Sequence, residues 1–330
     1  MAGKDGKGLK EDVSLIRGNI GVVGTIFVDC KGFAGKPYKA DGRNLGEISF
    51  VHGGVGRNVA ENLACLDLPV TLISTVDRTA LGDEVLQRLD EKAVNTSMVK
   101  KVNNNGMGLW LAIIDEKGDL AGSISQMPDL SFLEQYIFAR AGDLFSQLSH
   151  VILELDLNEK ITGFILDLCR RLDKPVYGIP GNLDVILRKP EMLPRLECFI
   201  CNIHEAGALM GKELAGLEIG EIQEILTRYY FIPEMRARCS VVTLGDRGSI
   251  YFDKEIKASG YMPAEKVETV DTSGAGDAFF SGTVSGLIRN LTLGKAVAIG
   301  TKVASWTVGS AENNCHNLKE RFKKENMFES

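Results

Sequence analysis

The sequence predicts an α/β protein in three layers, with helices on both faces of a central, mainly parallel β-sheet. Short apolar runs recur along the chain, and amphipathic helical patterns lie between most of them. This order is typical of a parallel sheet with helical crossovers. Two stretches, about residues 30–52 and 106–127, break the alternation. They predict a small β-sheet lid or, almost as well, an ordinary edge hairpin.

The predicted elements follow one another along the chain. Strands are expected over residues 19–29, 70–76, 149–156, 175–179, 196–202 and 239–244, and helices over 55–68, 81–93, 158–173, 204–211, 218–230 and 275–291. Each strand is a short continuous apolar run, typical of a strand that is buried on both faces. Within residues 106–127, a turn around 116–119 joins two strands. Ligands of such sheets bind outside the carboxyl ends of the strands, so residues that end strands are the first functional candidates.

Composition and charge restrict the function classes. The chain has 330 residues, of which 44% are apolar and 25% charged, as in ordinary globular proteins. Its 44 acidic and 38 basic residues give a net charge of −6, whereas nucleic-acid binders carry a basic surface. Apolar runs stay below the length of a membrane span, and no secretory leader is readable. We therefore expect a cytoplasmic protein with neither nucleic-acid nor membrane partners.

One domain is expected over residues 19–318, between a mobile N-terminal tail at 1–18 and a charged C-terminal tail at 319–330. The chain contains seven cysteines, an odd number without a framework spacing, which predicts reduced thiols. Cys198 and Cys201 have the spacing of a zinc or redox motif, but no second pair follows at a suitable distance. We interpret both as residues of a buried strand.

The segment 271–277, Asp-Thr-Ser-Gly-Ala-Gly-Asp, carries the strongest chemical signal. Apolar residues at helical spacing follow it, so the glycine-rich turn delivers Asp277 into the first turn of a helix. Backbone N–H groups at Gly274, Ala275 and Gly276 are therefore expected to form an anion site. This surrounding is expected to keep Asp277 ionised and able to accept a proton from an alcohol. The alternative is an ordinary glycine turn with an aspartate cap.

This segment closely resembles the second signature of the ribokinase-like (PfkB-type) carbohydrate kinases. The first signature of that family is present as Gly-Gly-Val-Gly-Arg-Asn at residues 53–58. The resemblance covers about residues 19–318 and implies a ribokinase-like fold and a kinase that uses ATP. It implies that Asp277 is the general base and that the amides of 274–277 form the anion hole. The residues implied to contact sugar hydroxyls are Gly53, Gly54 and Asn58.

Further contacts are implied by the resemblance. Asp29, at the end of the first predicted strand, is implied to bind two substrate hydroxyls. A second acidic contact is implied near the end of the strand 149–156, and the sequence leaves Asp156 and Glu154 both open. A polar loop at 309–317 replaces the apolar adenine loop of many relatives, so a preference for adenine is in question. The residues implied on the nucleotide side are Asn202, Thr243, Gly245, Gly248 and Asn314.

Metal ions and a partner chain are implied as well. Glu205, in the Asn-Ile-His-Glu motif that begins at Asn202, is implied to hold Mg²⁺ through water. Asp271 and Ser273 lie where many relatives bind a monovalent cation such as K⁺. The family also implies a homodimer that forms through the lid.

The acceptor is predicted from residues 52–64, whose sequence is most similar to that of the pseudouridine kinases within the family. Ribokinases usually carry lysine at the position of Val55. We therefore expect the 5′-hydroxyl of pseudouridine as the acceptor, with ribose, a fructose-type sugar, adenosine or inosine as alternatives. Phe27, Phe33 and Trp110 are candidates for stacking on a base, and packing within the core or lid explains them equally well.

Other classes of protein are disfavoured. Neither a P-loop nor a dinucleotide-binding glycine fingerprint follows a predicted strand, and a nucleophile elbow is missing. The alternative without enzymatic activity is a silent nucleotide or sugar sensor. Such a sensor is expected to have a broken anion hole or to lack the base, and the sequence shows neither defect.

Overall fold

A computed structural model describes residues 18–155, 157–230, 236–310 and 312–325. The strands in these ranges are β1 (Asn19–Val23), β2 (Phe27–Ala34), β3 (Gly46–Gly53), β4 (Val70–Asp77), β5 (Val99–Val102), β6 (Gly108–Ile114), β7 (Leu120–Gln126), β8 (Leu148–Glu154), β9 (Val176–Ile179), β10 (Cys198–Asn202), β11 (Cys239–Thr243), β12 (Ser249–Asp253) and β13 (Ala258–Met262). The α-helices are α1 (Val55–Cys65), α2 (Ala80–Glu91), α3 (Leu130–Phe145), α4 (Glu159–Arg171), α5 (Asp184–Arg188), α6 (Ile203–Met210), α7 (Ile219–Tyr230), α8 (Ala275–Ile288), α9 (Leu293–Val308) and α10 (Leu318–Glu325).

The main sheet has nine strands in the order β13-β12-β11-β10-β9-β8-β1-β4-β5. The pairs from β11 to β5 are parallel, whereas β12 and β13 continue the sheet in antiparallel fashion. Parallel strands end at the same edge, so β8, β10 and β11 bring Glu154, Asn202 and Thr243 to one side of the molecule. This is the edge at which the sequence predicts the ligands.

Helices cover both faces of the main sheet, which confirms the predicted three layers. Val151 and Leu153 of β8 pack in a core with residues of α3, α4, α6 and α7. Ile152, between them, packs in a second core with residues of α1, α2, α8 and α9. Successive side chains of a strand point to opposite faces, so a continuous apolar run supplies both cores at once.

The lid is a separate sheet of four strands in the order β3-β2-β6-β7. It is built from the two segments that the sequence singles out, so the lid is confirmed and the edge hairpin is not found. Asp29 pairs in register with Val51 and Trp110, and Trp110 pairs with Ser125. Because paired residues of a sheet share a face, these four side chains lie on one face of the lid.

The prediction of one strand over 19–29 is wrong. β1 ends at Val23, and after the crossing at 24–26 the chain enters the lid as β2. A Cβ atom on Gly24 would lie 2.6 Å from the Cα atom of Gly56, so β1 and α1 meet here through glycine backbone. Asp29 is therefore the third residue of a lid strand and does not end a strand of the main sheet.

The C-terminal segment contains more structure than the predicted tail at 319–330. Residues 318–325 form α10, whose Leu318 and Phe322 are buried with Trp306 of α9. Apolar residues four apart place one stripe of this charged helix against the domain. Residues 1–17, 156 and 326–330 lie outside the described part of the chain, and the predicted N-terminal tail falls almost entirely there.

The interpretation of Cys198 and Cys201 as residues of a buried strand is confirmed. Both are buried in β10 with free thiols, and burial raises the pKa of both. Within the described part of the chain no cluster of three metal-ligating side chains is found. None of the helices described is long and apolar enough to span a bilayer.

Candidate active site

A cavity of about 420 Å³ lies between the lid and the carboxyl edge of the main sheet. Its lining residues are Thr25, Phe27, Asp29, Gly54, Val55, Asn58, Trp110, Ser125, Met127, Pro128, Leu130, Glu154, Gly181, Asn182 and Asp277. Four residues predicted from the sequence to bind substrate or to act in catalysis meet here, namely Asp29, Gly54, Asn58 and Asp277. The volume suits a ligand somewhat larger than a single sugar ring, since ligand pockets span roughly 300–1,000 Å³.

Gly54 allows the chain to turn from the lid into α1. Its φ is +94°, and a Cβ atom there would lie 2.6 Å from the carbonyl oxygen of Thr25. Only glycine accepts both the positive φ and this close approach without strain. The N–H of Arg57 then donates to the Thr25 carbonyl at 3.1 Å, which fixes the first turn of α1 beside the cavity. Gly53 precedes this turn and lies near the Asp29 carboxylate, but it does not line the cavity.

Asn58 connects the two sequence signatures. Its amide Nδ2 donates to Oδ2 of Asp277 at 2.8 Å, across 219 positions of sequence. α1 and α8 pack against each other, and this packing brings the first turns of both helices to the cavity. The predicted sugar contact and the predicted base are thus direct partners.

Asp277 is not held ionised as strongly as the sequence predicts. Burial raises the pKa of this carboxyl to about 7, against the hydrogen bond from Asn58, which lowers the pKa. The negative charge of Glu154 raises the pKa further, and the guanidinium of Arg57 lowers it. The helix dipole favours the ionised form, and the partial burial of the carboxyl at the cavity wall outweighs it. A carboxyl that titrates near neutral pH is well matched to general base catalysis.

This pKa predicts the pH dependence of activity. Only the ionised form of Asp277 accepts a proton, so kcat/KM is expected to fall about tenfold for each pH unit below about 7. The measurement is kcat/KM between pH 5.5 and 8.5 with a stopped assay that needs no coupling enzyme. A profile that stays flat down to pH 5.5 contradicts the assignment.

The turn before α8 presents backbone N–H groups to the cavity edge. Gly274 caps the helix in the left-handed region with φ of +74°, and the N–H of Ala275 donates to the Thr272 carbonyl at 3.2 Å. The N–H groups of Gly276 and Asp277 lie too close to the helix start to have acceptors within the helix. They supply donors and a positive dipole end where an anion would bind.

Glu154 and Asp29 contribute carboxylates to the cavity from opposite sides. Glu154, at the end of β8, accepts hydrogen bonds from the N–H of Thr25 at 2.7 Å and from its hydroxyl at 3.0 Å. Asp29 extends from the lid, and burial raises the pKa of its carboxyl. The sequence leaves Glu154 and Asp156 both open as the second acidic contact. Glu154 lines the cavity, and Asp156 lies outside the described residues.

The residues predicted on the nucleotide side lie farther along the same edge. Asn202 and Glu205 form a capping box at the start of α6: Asn202 Oδ1 accepts from the N–H of Glu205 at 2.9 Å, and Glu205 Oε2 accepts from the N–H of Asn202 at 2.7 Å. Thr243 ends the neighbouring strand β11, directly in register with Asn202. Gly245 and Gly248 follow with positive φ, as tight turns require. β10 and β11, which carry or precede these residues, follow β9 in the sheet.

Asn314 has different surroundings from those predicted for a nucleotide contact. Its side chain is only 2% exposed. Its Nδ2 donates to the Asn58 carbonyl at 2.9 Å, and its Oδ1 accepts from Arg57 at 3.0 Å. The neighbouring Asn313 donates to the His52 carbonyl at 3.2 Å. The polar residues of this loop thus face the protein interior, because they satisfy backbone carbonyls at the crossing between lid and helix.

Asp271 and Ser273, predicted to hold a monovalent cation, form a turn before the anion hole. The N–H of Ser273 donates to Asp271 Oδ1 at 2.8 Å. The ammonium of Lys31, on lid strand β2, lies 3.9 Å from the other oxygen of Asp271. Both partners lower the pKa of this carboxyl, whose charge is thereby already balanced. These residues therefore do not fit an additional cation well.

Sequence comparison places the chain among known proteins. Residues 18–317 match the profile of the pfkB family carbohydrate kinases. The chain belongs to this family. It is thus a carbohydrate or nucleoside kinase, a phosphotransferase whose acceptor is an alcohol.

Two relatives bear on the subgroup within the pfkB family. A guanosine-inosine kinase of Exiguobacterium acetylicum is 36% identical over 294 residues, which cover 89% of this chain and 95% of that protein. A pseudouridine kinase of Escherichia coli is 22% identical over 297 residues, which cover 90% and 92%. The greater similarity to pseudouridine kinases expected from residues 52–64 is therefore not supported over the full length.

Solved structures confirm the ribokinase-like fold of this pfkB-family kinase. A ribokinase from Cryptococcus neoformans in complex with ADP superimposes with a TM-score of 0.77 at 19% identity, and the match covers 92% of this chain and 99% of that one. A putative sugar kinase from Clostridium perfringens gives the same TM-score, with coverage of 93% and 96%.

The aromatic candidates of this pfkB-family kinase divide between two places. Phe27 and Trp110 line the cavity from the lid, whereas Phe33 is 42% exposed and lies outside the lining. Gly181 and Asn182, which follow β9, also line the cavity and were not predicted as site residues. The proline-glycine-asparagine turn directly after a buried strand was the available signal for those two residues.

Proposed function

We propose that this protein transfers the γ-phosphoryl group of ATP to the 5′-hydroxyl of a purine nucleoside, with Asp277 as the general base. The observation that carries the proposal is the Asp277 carboxylate in the cavity, bound by Asn58 and directly beside the N-terminal amides of α8. A proton acceptor and an anion site are thereby adjacent, as phosphoryl transfer to an alcohol requires.

In the proposed step the hydroxyl oxygen attacks phosphorus while the bond to the ADP oxygen breaks. The hydroxyl proton passes to Asp277, and ADP leaves with the electron pair of the broken bond. The amides of Gly276 and Asp277 stabilise the charge on the transferred group. A nucleotide along β10 and β11, near Asn202, Thr243 and the glycine turn, would present its terminal phosphate to this site.

Asn202 and Glu205 are the proposed residues for Mg²⁺. Amide and carboxylate oxygens are the ligands that Mg²⁺ prefers, and the ion usually keeps several of its waters. The capping box already uses the single side-chain oxygen of Asn202, which accepts from the N–H groups of His204 and Glu205, and one carboxylate oxygen of Glu205, which favours contact through water. When bound, Mg²⁺ supplies positive charge to the phosphate oxygens. For K⁺ the ion pair between Asp271 and Lys31 argues against a site at Asp271 and Ser273.

Similarity favours inosine or guanosine over pseudouridine as the acceptor. The relative named guanosine-inosine kinase is 36% identical to this chain, compared with 22% for the relative named pseudouridine kinase. Phe27 and Trp110 on the lid supply aromatic faces on which a base can stack, and Asp29 can accept hydrogen bonds from ribose hydroxyls.

An acceptor panel tests this proposal. With Mg-ATP, we expect inosine and guanosine to give kcat/KM values at least about tenfold above those of ribose and fructose, since a stacked base adds more than about 1.4 kcal/mol. They are also expected to exceed adenosine, pseudouridine and uridine, in line with the 36% identical relative named guanosine-inosine kinase. ADP release is the measured quantity. 5′-Deoxyinosine is the matched control, because it keeps the base and lacks the acceptor oxygen. It should inhibit competitively without supporting ADP release above background.

Each other outcome excludes part of the proposal. Activity confined to pseudouridine restores the original expectation for the acceptor and contradicts the purine assignment. Activity on a free sugar alone retires the nucleoside altogether. ATP binding without turnover on any acceptor favours the silent sensor.

We also propose that two copies of the chain pair through the outer face of the lid. Cys30 pairs in register with Phe50 and Leu111, and Leu111 pairs with Ile124, so a row of mainly apolar residues crosses all four strands. Phe50 is 59% exposed and Ile124 is 69% exposed. Such a contiguous apolar face on a sheet is typical of an interface between subunits.

Ile124→Glu is expected to convert the dimer to a monomer, because it places a charge in the centre of the proposed contact. The measurement is size-exclusion chromatography with light scattering at micromolar concentration. Ile256→Glu, at an equally exposed isoleucine in the turn after β12, is the matched control and should stay dimeric. A monomeric native protein, or a dimeric Ile124→Glu variant, excludes this interface.

A further inference from the structure

We propose that Arg57 is a positioning residue: it holds the Asn58 amide in the one orientation in which that amide donates a hydrogen bond to Asp277. The inference rests on the proposed function, since it concerns the residue that acts as the base. Arg57 is not a contact of the cavity and does not touch the reacting atoms.

Arg57 is almost entirely buried, with 1% of its side chain exposed, in the first turn of α1. Its Nη1 donates to Asn58 Oδ1 at 2.8 Å, to Asn314 Oδ1 at 3.0 Å and to the His52 carbonyl at 3.1 Å. Its Nη2 donates to the carboxylate of Glu61, one helical turn further on. A buried arginine with so many engaged donors has little freedom to move.

The chemistry of the two side chains determines the direction of the hydrogen bonds. An asparagine amide has one end that accepts hydrogen bonds and one end that donates them, whereas a guanidinium can only donate. The Asn58 oxygen must therefore face Arg57, and the Asn58 NH₂ group must face Asp277. In the opposite orientation, the amide oxygen would face the carboxyl and favour its protonated, catalytically inactive form. Arg57 thus selects the orientation that stabilises the ionised base.

Asn314 fixes the same pair from a third direction. It accepts from Arg57 and donates to the backbone carbonyl of Asn58, so it joins the guanidinium and the asparagine backbone in a closed ring. This arrangement explains why Asn314 is polar although it is buried.

A second arginine balances the charge of this network. Arg88 of α2 lies 3.7 Å from the free oxygen of Glu61 and forms an ion pair with Glu312, which precedes the buried asparagines. Two guanidinium groups and two carboxylates thus alternate from α1 to the loop. The network remains neutral overall, so the buried Arg57 and Glu61 leave no uncompensated charge in the interior.

The charged groups that act on Asp277 come from two elements. Arg57 acts on it from α1, beside the neutral amide of Asn58, and Glu154 acts on it from β8. Loss of the Arg57 guanidinium removes both a nearby positive charge and the constraint on Asn58. Both changes favour the protonated carboxyl, so they act in the same direction on the pH profile.

The test is the pH profile of kcat/KM for Arg57→Met, measured with the best acceptor of the panel. We expect the acidic limb of this profile, where kcat/KM falls with decreasing pH, to move to higher pH by about one unit. At pH 6 the variant should therefore have a kcat/KM about tenfold below that of the native enzyme. Arg57→Lys keeps the charge that Glu61 requires and removes the two-armed geometry. The acidic limb of the Arg57→Lys profile is expected to move in the same direction. This variant therefore provides the same test if Arg57→Met folds poorly.

Arg289→Met is the matched control. Arg289 is a partly buried arginine that donates to the Ser285 and Leu66 carbonyls at 3.1 and 2.7 Å, but it lies at the far end of α8. The Arg289→Met substitution should lower the melting temperature without moving the acidic limb of the pH profile. A double-mutant cycle adds the required specificity: in an Asn58→Leu background, Arg57→Met should move the limb by less than about a third of its shift alone.

The outcomes separate this inference from the proposed function. A limb that stays in place in both Arg57 variants overturns the inference, and so does a full shift that persists without Asn58. If Asp277→Asn retains native turnover, the base assignment fails and the inference fails with it. If Asp277→Asn is inactive while the Arg57 profiles match the native one, only the positioning role is excluded.

Discussion

Asp277→Asn is expected to lower kcat by about 10⁴-fold while the protein still binds ATP. The substitution keeps the shape of the side chain and removes its ability to accept a proton, and general base catalysis contributes up to about that factor. The anion site at the start of α8 is built from backbone amides, so it survives the change. The measurement is single-turnover phosphorylation of the acceptor, together with ATP affinity by calorimetry.

The same variant provides its own control for folding. The pKa of Asp277 is raised to about 7, above the value in an unfolded chain, so the folded protein binds more protons than the unfolded chain between about pH 4 and 7. Stability from this group is therefore present at low pH and is lost as the pH rises through about 7. At pH 8 the asparagine variant should melt at an equal or higher temperature than the native enzyme. A variant that retains native turnover contradicts the base assignment.

Gly274→Ala is expected to abolish activity and to destabilise the protein. Gly274 has a φ of +74°, and a Cβ atom there would overlap the backbone carbonyl of Asn313. The turn must move away from the loop, which displaces the amides that form the anion site. Removal of one such donor alone typically reduces kcat by about 10²–10³-fold. The measurements are kcat, the KM for ATP and the melting temperature.

Gly211→Ala is the matched control for this prediction. Gly211 caps the C-terminus of α6 with a similar φ of +62°, but no atom lies within 4 Å of its added Cβ. Alanine there suffers the backbone strain, about 1 kcal/mol, without the clash. The Gly211→Ala variant should have a slightly lower melting temperature than the native enzyme and keep full activity. If both glycine variants behave alike, the contact between Gly274 and the loop has no role in the anion site.

The sequence predicted the layers and most elements because their signals are local. Continuous apolar runs give β8 and β10, and both lid segments were located by their departure from this pattern. The strand at 19–29 was predicted wrongly because hydrophobicity does not record the change of sheet at Gly24, which depends on contact with Gly56 of α1. α3 and α9 lie outside the predicted helices as well.

The candidate site was predictable where a motif carries it and unpredictable where distant residues meet. The turn at 274–277 and the glycine at Gly54 require particular backbone geometry, which leaves a signature in the residue types. The titration of Asp277 and the partners of Asn314 depend on burial and on contacts across more than 200 positions. No pattern within one segment contains that information.

The crossing at 24–26 is at once part of the cavity wall and the base of the lid. The N–H of Gly108, at the start of a second lid strand, donates to the Ile26 carbonyl, while Thr25 is bound to Glu154 and to α1. A ligand that contacts Thr25 or Phe27 therefore acts on the point about which the lid would tilt. Thermodynamic linkage makes this influence reciprocal. If the acceptor and the nucleotide favour the same tilt of the lid, the nucleotide raises the affinity for the acceptor, and the acceptor raises the affinity for the nucleotide by the same factor.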